Sequence, residues 1–127
     1  MSILHEGDRE FVQRVLKYFG LKGVRLEAVS RPKHEISTDA NPDVPTWFIG
    51  PKWQRRRRYS AVNGRAGLVH ESLHSLGYPH DAEMRRRGFY SLDREKDSLT
   101  ADVYKDIERG TPHFEPQRFG LPDRRSR

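Results

Sequence analysis

The chain contains no cysteine, which removes disulfides, thiolate metal ligands and cysteine nucleophiles together. Any metal site must therefore be built from histidine and carboxylate. No apolar run approaches membrane-spanning length, so no contact with a membrane is expected. The first ten residues, MSILHEGDRE, lack the basic and then apolar layout of a secretion signal, and the expected setting is cytoplasmic or otherwise unexported. Hydrophobic residues are also sparse, 34% of the chain against 33% charged, which predicts a thin core under a charged surface. A length of 127 residues fits one domain of ordinary size.

What is plentiful is arginine. The net charge is +6, with the excess gathered in RRRR (55–58), RRR (85–87) and RRSR (124–127). Such clusters attract nucleic acid or an acidic partner through counterion release. No aromatic and basic recognition motif accompanies them, so a plain solvated surface remains the alternative.

Periodicity supplies the elements. Residues 8–19 carry Phe11, Val12, Val15, Leu16 and Phe19 at helical spacing, with Asp8 as the expected cap and Gly20 as the stop. Residues 23–30 alternate like a half-buried strand. The proline-rich DANPDVP reads as a loop between short strands near 34–38 and 45–50, and Pro51 suggests that the second is an edge strand. RYSAV (58–62) reads as another short strand, and Asn63-Gly64 as a turn or cap. Ala66, Leu68, Val69, Leu73 and Leu76 then form a helical stripe over 65–76. A closing helix over 97–110 places Leu99, Val103, Tyr104 and Ile107 on one side, behind a Ser98 or Thr100 cap. The division expected is a domain over 1–110 and an extended or disordered tail over 111–127, where prolines abound and periodicity is lost.

Three of the six histidines fall within VHESLHSLGYPHD, residues 69–81. His70 and His74, four apart on a helix, project together and can reach one metal ion at about 2.0–2.1 Å. Glu71 is directed toward the position of a metal-bound water, which suits a general base. Gly77 lets the chain leave the helix sharply, and the turn can return His80 as a third ligand. Three imidazoles leave a fourth position open on Zn2+, where a water becomes acidic enough to supply hydroxide near neutral pH. The expected chemistry is hydrolysis of a peptide bond at one catalytic ion, with Glu71 moving the proton.

HESLHSLGYPHD resembles the His-Glu-x-x-His-x-x-Gly-x-x-His consensus of the metzincin metallopeptidases, a zincin clan. The resemblance implies an α+β zinc metalloendopeptidase domain: a small twisted mixed sheet with an N-terminal helix, an active-site helix and a C-terminal helix. It implies His70, His74 and His80 as ligands, Glu71 as base, and Asp81 as a second layer of support under the metal. Metzincins carry a methionine-containing turn a dozen or more residues past the third histidine. Here the nearest methionine, Met84, is four residues on, and GFYS (88–91) is expected in that turn without its methionine. Tyr90 is then a candidate for stabilising the oxyanion, with packing in the core as the alternative. The family's edge strand binds substrate in extended form, and residues 45–50 are the candidate, with Trp47 or Phe48 lining a pocket.

Three other readings use the same residues. One is an intracellular SprT-like or WLM-type protease acting on DNA-associated proteins, which the basic clusters and YPHD suit. Another is a basic nucleic-acid-binding protein with a stabilising zinc site, and the last a hydrolase of some other amide.

Overall fold

The structure, a computed structural model, describes residues 4–55, 61–89 and 98–124. Helix α1 runs over Glu6–Phe19 and buries Phe11, Val12, Val15 and Phe19 of the stripe its spacing predicts, with Leu16 half-buried beside them. Gly20 ends it at φ 69°, a left-handed conformation in which a Cβ is strained. Its N-cap is His5, not Asp8. Asp8 lies in the first turn, wholly buried, and accepts from Arg65 Nε at 2.8 Å, which ties α1 to the central helix. A sequence of one apolar stripe and several acids does not reveal which acid is a cap and which a buried partner.

Strands β1 (Arg25–Ala28), β2 (Ile36–Thr38) and β3 (Thr46–Ile49) form a three-stranded mixed sheet in the order β1-β3-β2. β1 is parallel to β3, with Leu26 opposite Trp47, and β2 is antiparallel to it, with Ile36 opposite Ile49. The expected edge strand is therefore the central one. Pro51 does not interrupt its ladder because the strand ends at Ile49 and the proline opens the one-turn helix α2 (Pro51–Gln54). The loop between β2 and β3 is held by side chains: Asp39 Oδ1 accepts from the backbone of Asn41 and of Thr46, and Asn41 Oδ1 from Asp43 and Val44. These backbone donors hold the exposed Asp39 carboxyl below its ordinary value.

Helix α3 spans Ala61–Ser75, so Asn63 and Gly64 lie inside it rather than at a turn, and Ala61 and Val62 are helical rather than part of a strand. Residues 58–60 of that expected strand lie outside the described residues. Gly64 is needed for packing: a Cβ there would lie 1.9 Å from Cε2 of the fully buried Trp53. Leu68, Val69 and Leu73 have no exposed surface, and α3 packs against β2, α1 and the closing helix. Burial of each such side chain contributes about 1.5–3 kcal/mol. This makes α3 the axis of the core and a rigid carrier for whatever its remaining face presents.

The one-and-a-half-turn α4 (Ala82–Arg86) and the closing α5 (Ser98–Glu108) follow. α5 buries Leu99, Val103, Tyr104 and Ile107 as its periodicity requires. Beyond it, residues 111–124 lie against the domain: Phe114 and Leu121 are buried, Phe114 N donates to Tyr18 O at 2.8 Å, and Pro116–Phe119 form a 3-10 turn. The prolines and lost periodicity that suggest an extended or disordered tail reflect a segment anchored by single aromatic and aliphatic side chains rather than by a repeating face. Among the described residues, no helix is long and apolar enough to cross a membrane.

Candidate metal centre

Two glycine exits assemble the site. α3 ends in a Schellman motif: Gly77, at φ 97°, donates to His74 O at 2.9 Å, and Tyr78 N reaches back to Leu73 O at 3.2 Å. The reversal lays Tyr78–His80 over the last turn and brings His80 beside His74. α4 ends the same way, with Gly88 at φ 89° and Phe89 N donating to Met84 O at 3.0 Å. That second reversal brings Phe89 under the histidines.

The three imidazoles converge. His74 Nε2 lies 2.9 Å and His70 Nε2 3.3 Å from His80 Nε2, and one nitrogen from each ring falls within 4.8 Å of the others. They are close enough to bind one metal ion. Ligand nitrogens at about 2.0–2.1 Å from a tetrahedral ion stand about 3.3 Å apart, which is close to the two separations from His80. The tautomer fits too. His74 Nδ1 is 2.8 Å from the Tyr78 carbonyl, which can only accept, so Nδ1 carries a proton, and in the neutral ring Nε2 then holds the lone pair. A cluster of imidazole nitrogens this tight needs a cation or shared protons at its centre.

Phe89, wholly buried, forms the floor. Its ring centroid lies 4.2 Å from His70, 5.0 Å from His74 and 5.1 Å from His80, stacked on the first and last. Packing against an aromatic face fixes the ring orientations that ligation requires. Met84 is also buried, one turn earlier, in the core.

Glu71 lines the same cleft, with 8% of its surface exposed. Burial pushes its carboxyl up to about 8, so that the protein without a metal holds it largely protonated near neutral pH. A cation among the histidines would draw it back toward ionisation.

No protein-family model, curated protein or solved structure matches the chain.

The cleft has a volume of about 510 Å3, within the range of ligand-binding clefts, and its opposite wall is β2 with Ile36, Ser37 and Thr38 and the rim residues His34 and Ala40. Trp47 and Phe48 do not line it. Trp47 is in the core with no exposed surface, and Phe48, its neighbour on the central strand, points to the sheet's other face. Asp81 is exposed and caps α4, accepting from Met84 N at 2.9 Å, so it steadies the turn after His80 from outside instead of lying beneath the metal. Tyr90 lies outside the described residues. The structural contributions of Phe89 and β2 are absent from the motif itself; the signal for Phe89 was Gly88 before an aromatic, and for β2 the apolar Ile36 between charged and polar neighbours.

Proposed function

We propose that the chain is a zinc-dependent metallopeptidase built on a reduced metzincin-like plan. One observation carries the reading: His70, His74 and His80 converge in an open cleft that Glu71 also lines. Four histidine and carboxylate groups in this arrangement suit zinc, because no thiolate is available and three imidazoles leave a position for substrate. Zinc bound there would polarise a carbonyl and acidify a water. Glu71 takes the proton of the attacking water on a carboxylate oxygen and returns it to the departing amine. Burial raises its carboxyl in the metal-free protein, and a cation among the histidines would return it to the ionised form that a base requires. Phe89 and the Tyr78 carbonyl hold the imidazoles still during the turnover.

The family likeness draws support from two features. The order of helix, strands, histidine-bearing helix, glycine turn and closing helix agrees with the expected plan, and Phe89, in the stretch expected as the methionine-free turn, packs against the histidine rings. β2 offers the substrate edge. It pairs on one side only among the described residues, and its residues line the cleft, so an extended peptide can add as a further strand with its carbonyl turned toward the histidines.

The test is a digest of a peptide library by the zinc-loaded protein, with and without chelator, beside Glu71→Gln. The expected outcome is chelator-sensitive cleavage that Glu71→Gln lowers by about 10²–10⁴-fold while retaining metal and fold. Cleavage unaffected by Glu71→Gln would remove the general base from the mechanism. No cleavage, together with tight and salt-sensitive nucleic-acid binding that survives Glu71→Gln, would favour the basic binding protein instead.

A further inference from the structure

A second cavity adjoins the metal cleft. It has a volume of about 660 Å3 and shares His74, Gly77 and Ala40 with the first, so the two adjoin at the end of α3. Arg124 forms part of its wall. The sequence places this residue at the head of a basic RRSR tail, where it would be expected to be solvated, yet its Nε is buried and has no hydrogen-bond partner. Among the described residues the guanidinium makes no ion pair, and its contact is the Tyr78 ring, 5.8 Å from its central carbon. A buried guanidinium donor without an acceptor is costly unless something fills the place.

The residue is held firmly. Tyr78 Oη donates to the carbonyl of Pro122, and Leu121 is buried, so the backbone entering Arg124 is fixed at both the hydroxyl and the core. Its stem lies against the helix exit: a Cβ on Gly77 would stand 3.4 Å from Arg124 Cβ. The same Tyr78 carries the carbonyl that orients His74. Tyr78 therefore touches both the Arg124 guanidinium and His74. Asp43 also lines the cavity, but it is exposed and faces Lys22 Nζ at 3.9 Å.

We infer that Arg124 is a specificity-determining residue, which binds a carboxylate of the peptide substrate next to the bond being cleaved. This rests on the peptidase reading of the histidine site. The carboxylate can be an Asp or Glu side chain or the substrate's C-terminus, both of which match a guanidinium fork.

The experiment uses the full-length, zinc-loaded protein and a decapeptide library, each member made with Glu, Gln or Lys at every position in turn and with a free or amidated C-terminus. The wild type is expected to cleave the carboxylate member of one pair about tenfold faster or more; a Glu position identifies a side chain, a free C-terminus the chain end. Arg124→Ala should abolish that ratio, Arg124→Lys should keep part of it, and Arg124→Glu should invert it toward Lys-containing peptides. A ratio of two rates does not depend on how much of a variant is folded. As a readout apart from turnover, the favoured peptide should bind Glu71→Gln about tenfold more tightly than Glu71→Gln with Arg124→Ala. Cleavage without a carboxylate preference, or a preference that survives Arg124→Glu, overturns the role of Arg124 and leaves the peptidase reading in place. A zinc-loaded wild type that cleaves no peptide overturns both.

Discussion

Phe89 touches all three imidazoles, and its loss separates packing from ligation. Phe89→Ala should cost about 3–5 kcal/mol in stability and weaken metal affinity about tenfold or more, read by denaturant unfolding and by competition with a chelator. Phe89→Met, which restores an apolar floor, should recover most of both. If Phe89→Ala loses stability yet keeps the wild-type metal affinity, the ring is only core. At this scale the sequence was most legible: His70, His74, His80 and Glu71 share a short motif whose spacing is itself geometry. Asp81, Trp47 and Phe48 were less so, since a carboxylate can cap a helix as well as support a ligand, and an aromatic in a short strand bounded by prolines can sit at the centre of a sheet as well as at an edge.

At the scale of elements, the helix that bears His70 and His74 depends on a residue that reads as a breaker. Gly64→Ala would put a methyl 1.9 Å from Trp53 Cε2, a distance no small shift relieves. It should destabilise the protein by about 1–3 kcal/mol despite the better helix propensity of alanine, with a lower thermal midpoint and quenched-state changes in Trp fluorescence as the readouts. A stabilised variant would show that Trp53 does not pack against Gly64. The start of α3 was illegible because Asn-Gly is a turn signal locally, while the need for it arises from a side chain eleven residues earlier. Its end was legible because Gly77 supplies a conformation that the chain direction demands.

For the whole molecule, one polar knot joins α1, α5 and the C-terminal segment. Asp106, with 2% of its surface exposed, accepts from Tyr18 Oη at 2.6 Å, Thr111 Oγ1 at 2.8 Å and Arg118, whose Nη2 is 2.9 Å away. Burial alone would raise its carboxyl, but these donors and the Arg118 charge outweigh that and hold it below the ordinary range. A lowered folded value contributes stability above the unfolded value of about 3.9, and the contribution is lost as pH falls through the folded one. Asp106→Asn should therefore cost about 2 kcal/mol near neutral pH, and its deficit relative to the wild type should shrink below about pH 4. Equal deficits at pH 7 and pH 3 would show that the charge contributes nothing. This knot and the β1-β3-β2 order lay beyond sequence reading, because both join residues far apart in the chain whose local patterns carry no record of their partners.

The central claim is that His70, His74 and His80 hold one zinc ion, and metal content measures it most directly. After zinc loading and exhaustive dialysis at pH 7.5, elemental analysis should give about one zinc per chain for the wild type and for Glu71→Gln, and none for His74→Ala. Below about pH 6 the wild type should release the ion as its histidines take up protons. A wild-type protein that retains no zinc at pH 7.5, or a His74→Ala variant that retains as much as the wild type, would contradict the claim.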